Sequence, residues 1–485
     1  MTPMETGSRQ DGKSGRAQAG LAVAVALVLG LALRLYALGH LFQVSGDSLI
    51  YGGIAKNLLL HGRYALGGSG GVPYPTLIRL PGYPFLLAFS FRLFGMENYF
   101  AASCLQIALE LAGCLLLADF VRRVAPAALA RRAALATLWI ACLCPFTASY
   151  TAAPLAETPT LVAVALALWG AAWFRERPGW PAALVFSFAL LLAAMLRPDG
   201  ALVAVALVPA VLFGIPHNAI GRKPLAAICL ACALLILAPF ALWTARNWRV
   251  FHVFEPLAPR LATDPGEDPH LGWEAWVKSW CLDFASTYDI YWNVPDDEFD
   301  FSKLPARAFD SPIQQAETAT LVADYNKQHY EITPELDARF AQLAQARAAS
   351  HPWRTHLWLP LGRLADMWLR PRVENLPIDL DWWAYARHRA ETRFCWAWAG
   401  LNFLYLAAAL AGLWMRPRFA VAMLAYMLLR SALLLTVEAP ETRYTLECFP
   451  MLFALGGVGI AAAMGKLMPE PSAHSLGVEH VFRRS

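Results

Sequence analysis

Two carboxylates and a set of guanidiniums stand at the ends of apolar segments, where a membrane protein can carry out polar chemistry. Asp47 follows the first apolar segment, within Gly46-Asp47-Ser48-Leu49-Ile50-Tyr51, and Glu157 opens a later one. A carboxylate within hydrogen-bond reach of an acceptor hydroxyl can take its proton as a general base. Arg79, Arg197, Arg246 and Arg443 also lie at segment ends, and a guanidinium suits bidentate binding of phosphate. Of these, Arg246 and Arg443 are the stronger phosphate candidates. Tyr51, Tyr83, Tyr444 and Glu438 complete the candidate substrate-binding set. Each has a blander reading: Asp before Ser-Leu-Ile suits a helix N-cap, and arginines near headgroups snorkel.

The elements that position these groups must be membrane helices. Of 485 residues, 58% are hydrophobic and only 16% charged. The apolar residues come in blocks near the twenty or so needed to cross a bilayer. Ten spans are predicted, at 20–39, 98–120, 131–150, 154–174, 180–196, 199–215, 224–245, 394–414, 418–437 and 445–464. The fold class expected is therefore an all-α polytopic membrane protein. Its parts are a polar tail (1–19), a transmembrane module (20–246) with a first outer loop (40–97), an insertion (247–393), closing helices (394–464) and a second tail (465–485). The net charge of +4 is spread over loops rather than gathered in a stripe, which excludes nucleic acid as a partner.

Lys and Arg in short loops set orientation. Arg122, Arg123, Arg131, Arg132, Arg175, Arg177, Arg222, Lys223, Arg416, Arg418, Lys466, Arg483 and Arg484 place both termini inside; Lys56, Arg63 and Arg79 run against the trend. With that topology Asp47, Glu157, Arg197 with Asp199, Arg246, Glu438 and Arg443 share the outer face. Polar groups near a membrane are kept where they line a site.

The insertion reads as mainly helical. Trp273, Trp276 and Trp280 fall at helical spacing, and partitioning favours placing them at the membrane interface. Thr333-Pro334-Glu335 signals a helix start, and Leu357–Leu369 forms another helix. The acidic turn Asp296–Asp300 lacks a calcium-loop pattern. His61, His252, His270, His351 and His356 lack metal spacing. No metal or other cofactor is expected beyond a weakly held divalent cation. Cys229 and Cys232 have redox spacing without the fold that uses it, and the nine cysteines form no disulfide framework.

The ordered set Arg34, Asp47-Ser-Leu-Ile-Tyr51, Arg79-Leu-Pro81-Gly-Tyr83-Pro84, Glu157, Arg197-Pro198, Thr244-Ala-Arg246-Asn247 and Glu441-Thr-Arg443-Tyr444 resembles the membrane-embedded GT-C glycosyltransferases. It is nearest the glycosyltransferase family 39 branch, with protein mannosyltransferases, aminoarabinose transferases and lipopolysaccharide-core transferases of the RgtA/B/C/D type. The resemblance covers roughly the first 250 residues and the last spans, and leaves the insertion out. It implies a GT-C-like bundle in a bacterial inner membrane, with its site facing outward. The implied reaction is inverting transfer of a sugar from a polyprenyl-phosphate donor to a lipid or glycan hydroxyl. Asp47 matches the family's general base and Glu157 its second acid. Ser48 stands where many relatives carry a further acid, which points away from protein acceptors. The rival reading is a transporter or lipid-linked sugar flippase. Such proteins are often built from inverted repeats with interrupted helices near mid-membrane; here neither a repeat nor a midplane carboxylate is evident, only Arg430 within the ninth span.

Overall fold

The computed structural model describes residues 4–67, 71–216 and 219–467, with the backbone alone for 4–16 and 466–467. Much of the two predicted tails, including Arg483 and Arg484, lies outside the described residues or their side chains. The chain begins with α1 (Met4–Leu41), α2 (Asp47–His61), the hairpin β1 (Ala65–Gly67) and β2 (Pro73–Pro75), and α3 (Gly82–Phe94). Then come α4 (Tyr99–Val124), α5 (Ala130–Cys142), α6 (Pro145–Thr151), α7 (Glu157–Glu176), α8 (Trp180–Leu196), α9 (Ala201–Leu212) and α10 (Arg222–Phe251). The insertion holds α11 (Leu271–Lys278), α12 (Phe284–Ser286), α13 (Pro312–Lys327), α14 (Pro334–Ser350) and α15 (Leu359–Leu369). It is followed by α16 (Arg389–Trp414), α17 (Ala420–Leu434), a 3-10 turn (Thr442–Cys448) and α18 (Phe449–Leu467).

The molecule is an all-α, multi-pass membrane protein. Each of the ten predicted spans coincides with helix. Six of them are long and apolar enough to cross a bilayer, and α5 with α6, bent by 51° at their junction, makes a seventh. The other three, α8, α9 with its preceding turn, and α17, are shorter apolar helices. Proline explains one interruption. Pro198 disfavours helix in the residue before it, so Arg197 is extended and α8 stops there. The segment 40–97, read from sequence as the first outer loop, also contains an apolar helix, α3, that the span pattern did not single out.

The bundle core is built by α4, α5, α7, α8, α16 and α18 around small residues. Without a hydrophobic drive between helices in lipid, close backbone approach is what holds such pairs together. Gly412 on α16 faces α18 so closely that a Cβ there would stand 1.8 Å from the Leu455 carbonyl oxygen. A charged tie supplements this packing. Arg34 on α1 is fully buried, pairs with Glu110 midway along α4, and donates to Cys142 O (2.6 Å) and Gly30 O (2.9 Å). Glu110 corrects the expectation that no midplane carboxylate is present: it is held by an arginine 76 residues away, a partner that spacing along the chain does not disclose.

The insertion has its own core, and here too the sequence reading needs correction. Trp273, Trp276 and Trp280 are almost wholly buried, packed with Phe299, Phe340 and Tyr325. They do not dip into the membrane interface. Their shared face is covered by α14, whose Phe340 stacks between Trp273 and Trp276 at ring distances of 5.1 and 5.2 Å.

The α16–α18 seam gives a direct test. Gly412→Ala would force the two backbones apart and should destabilise the protein by about 1–3 kcal/mol. Gly400→Ala on the same helix, where a Cβ meets nothing within 4 Å, should be neutral or slightly stabilising. Thermal melting of the two purified variants compares them; equal melting temperatures would mean the seam is not close-packed.

Candidate active site

Asp47 is the first residue of α2, with no side-chain cap bond to its own helix. Its carboxylate faces two arginines instead. Arg79, from the loop before α3, donates to Oδ1 at 2.5 Å, and Arg443, from the 3-10 turn before α18, donates to Oδ2 at 3.2 Å. The same Arg443 nitrogen lies 3.6 Å from Glu157 Oε1, which in turn accepts from Arg197 at 3.0 Å. Glu157 is likewise the first residue of its helix, where the exposed N–H groups favour a negative charge.

The chain of charges continues inward. Arg197 Nε lies 2.7 Å from Glu447 and 3.5 Å from Asp199. Arg430 on α17 closes the group at 2.6 Å from Asp199 and 2.7 Å from Glu447. Glu441 clamps the turn by accepting from Arg443 Nε and, at 2.6 Å, from the Tyr444 hydroxyl. Local sequence explains why these side chains converge. Pro198 ends α8 and leaves Arg197 at the helix mouth. Gly200 then lets the chain fold back until a Cβ would stand 2.1 Å from Ala193 O, so Asp199 is returned to the same spot.

The exposure grades with depth. Glu447 and Arg430 are wholly buried, Glu157 nearly so, and the Asp47 side chain is 26% exposed. The outer end of the network is therefore open to a reactant and the inner end is packed. Burial alone would raise the Asp47 pKa, but Arg443 and Arg79 outweigh it and hold the carboxyl at about 2. Aromatic groups wall the open end. Tyr51 packs edge-on to Tyr83 at 4.9 Å and lies under Arg79, and Tyr444 lies beneath both Arg197 and Arg443. On the insertion side Tyr150 donates to Glu374 at 2.9 Å.

Of the residues singled out from sequence, the structure gathers Asp47, Tyr51, Arg79, Tyr83, Glu157, Arg197, Arg443 and Tyr444. It sets two apart. Arg246 donates to the Thr76 and Tyr64 carbonyls, both at 2.8 Å, and is enclosed by Tyr64, Trp243 and Phe251. Glu438 pairs with Arg260 and Lys278 at the seam with the insertion. Asp199, placed with Arg197 on the outer face, Arg430, Glu441 and Glu447 belong to the network but were not assigned to the site from sequence. Glu441 was within a quoted motif; the acid Glu447, inside the last predicted span, was the signal available for the rest. Beside Arg246 lies a cavity of about 790 Å³ with mainly apolar walls, among them Leu58, Phe85, Leu242 and Trp243.

Residues 75–243 match the family model of dolichyl-phosphate-mannose-protein mannosyltransferase. The match takes in Arg79, Glu157 and Arg197 but ends before Arg443 and begins after Asp47. In structure the chain is similar to ArnT from Cupriavidus metallidurans bound to undecaprenyl phosphate, at 15% identity over 93% of this chain and 79% of that one, TM-score 0.39. It is also similar to ArnT from Cupriavidus metallidurans in the apo state, at 16% identity over 94% and 80%, TM-score 0.38. These likenesses are distant, and the reading of the site rests on its own geometry. No curated protein matches the chain in sequence.

The seam at Glu438 predicts a pH dependence. Burial, and next the neighbouring Glu438, push Glu274 up to about 7, against Tyr291, Arg260 and Lys278. A carboxyl raised in the folded state stabilises while protonated; that contribution is full below about 4.5 and lost as pH rises through about 7. The melting temperature should therefore fall between about pH 5 and 8 more steeply in the parent than in Glu274→Gln. Identical slopes would show that Glu274 does not titrate there.

Proposed function

We propose that this protein is an inverting glycosyltransferase that moves a sugar from a polyprenyl-phosphate donor to a hydroxyl of a lipid or glycan, at the outer face of a bacterial inner membrane. The observation that carries the proposal is the placement of Asp47 between Arg79 and Arg443, with Glu157 sharing Arg443. The donor class follows the matched family, whose description names a dolichyl-phosphate sugar. The outer-face placement follows the distribution of basic residues among the loops.

In the proposed reaction the acceptor oxygen attacks the anomeric carbon from the face opposite the phosphate. The new C–O bond forms as the bond to the phosphate oxygen breaks, and that oxygen leaves with the electron pair. The acceptor proton passes to Asp47. Arg79 and Arg443 stabilise the charge growing on the phosphate, the kind of preorganised electrostatic help that lowers such barriers most. They are better placed for this than Arg246, whose guanidinium is already bonded to carbonyls. The apolar cavity beside Arg246 suits a prenyl chain, and its neighbour Tyr64 donates to Arg79 O at 2.8 Å, which ties the cavity wall to the reacting end.

A base at pKa about 2 is a weak one, since efficient proton transfer needs a value nearer the working pH. The donor supplies the remedy. Its phosphate competes with Asp47 for Arg79 and Arg443, and as they turn to it the carboxylate loses the cations that depress it. Basicity then rises only when donor is bound.

Membranes carrying Asp47→Asn should retain folded protein and lose transfer from a polyprenyl-phosphate sugar by about 10²–10⁴-fold. Undiminished transfer would remove Asp47 from its role. Lipid scrambling or uptake that survives the substitution, with no transfer in the parent, would favour the transporter or flippase reading.

A further inference from the structure

A second polar site lies at the opposite end of the bundle. Glu157 begins α7 and Arg177 follows its end, so about 30 Å of helix separates the two, at 1.5 Å per residue over 20 residues. There a pocket of about 490 Å³ is lined by Arg122, Arg123, Trp173, Glu176, Arg177 and Arg418. The arginines come from three separate segments: the end of α4, the turn after α7, and the turn before α17. Their volume of enclosure falls within the range of small-ligand sites.

The charge in this pocket is not balanced by the protein. Arg122 and Arg123 pair with Asp119, at 2.6 and 2.7 Å, and Arg123 also reaches Glu176 at 2.6 Å. These two guanidiniums are thereby fixed in position, with Trp169 holding Asp119 from behind at 2.8 Å. Arg177 and Arg418 have no carboxylate partner among the described residues. Four guanidiniums thus face two carboxylates, in a concave site whose walls are nearly all polar. Basic loop residues that serve only to orient a membrane protein have no need to converge on a shared hollow. Across Arg418 the pocket adjoins a second cavity of about 290 Å³, where Val124, Ala172 and Phe419 supply apolar wall.

We propose that the pocket formed by Arg122, Arg123, Arg177 and Arg418 binds a phosphate anion, carried by a phospholipid headgroup or present as free inorganic phosphate. Guanidinium forks match phosphate oxygens bidentately, and the two unpaired arginines supply the charge the ligand would neutralise. The adjoining apolar hollow favours the lipid, with the phosphodiester among the arginines and the first part of the glycerol or acyl chain beyond Arg418.

The test uses the full chain, purified in a neutral detergent and stripped of lipid, with thermal melting read as phosphatidylglycerol, phosphatidylcholine or inorganic phosphate is added. Phosphatidylglycerol should stabilise the parent where phosphatidylcholine does not. The double variant Arg177→Gln/Arg418→Gln should need roughly tenfold or more phosphatidylglycerol for the same effect, as expected for lost charge-assisted bonds. Arg177→Lys/Arg418→Lys, which keeps charge but not the fork, should fall between. Arg131→Gln, a basic residue outside the pocket, should match the parent. Stabilisation by inorganic phosphate alone, lost in the same double variant, would support the anion site and assign it to the free ion. Equal titrations for parent and double variant, or an Arg131→Gln effect as large as theirs, would overturn the proposal.

Discussion

The structure depends on one continuous alternation of guanidinium and carboxylate, from Arg79 through Asp47, Arg443, Glu157 and Arg197 to Glu447, Asp199 and Arg430. Ionised groups removed from water are tolerated only when paired, and removing one partner leaves an uncompensated charge. Here each interior member has two neighbours from different segments. The network therefore welds the mouth of α2, the loop before α3, the start of α7, the turn between α8 and α9, α17 and the turn before α18. Hydrophobic packing sets the bundle beneath; this network sets where six chain segments end relative to one another. Its innermost members, Arg430 and Glu447, are wholly buried, have no room for a reactant and hold the outer half in place.

How much of this was legible in the sequence follows from range. Apolar blocks are local, so the helices and the fold class could be read directly, including the proline that stops α8. Asp47 and Glu157 could be singled out because each lies at the mouth of a predicted apolar span. Their meeting through Arg443 could not, since Arg443 and Asp47 are 396 residues apart. The same holds for Arg34 with Glu110. The tryptophans show the limit differently. Their helical spacing is correct, but spacing says which residues share a face and not what covers it. The cover is Phe340 on α14, so partitioning arguments that suit a bare amphipathic helix misplace them.

Arg246 shows that a cation at a helix mouth is not by that fact a ligand-binding cation. Its two terminal nitrogens are taken by the carbonyls of Thr76 and Tyr64, with three aromatic rings around the guanidinium. It staples α10 to the segment between α2 and α3 and so shapes the apolar cavity. Arg79 and Arg443 differ because their partner is a carboxylate at the open end of the network, a partner that an incoming phosphate can replace with little change in their own charge balance.

That exchange gives the proposed base its timing. In the resting site the carboxylate of Asp47 is kept charged and weakly basic by the cations that would serve the leaving group. A donor phosphate that draws those cations to itself leaves Asp47 beside the acceptor with fewer positive neighbours, while Glu157 keeps Arg443 anchored through its second contact. Stabilising the leaving group and strengthening the base thus become a single displacement of two guanidiniums. The arrangement requires a network that is rigid at its inner end and exchangeable at its outer end, which is the gradient of burial from Arg430 to Asp47.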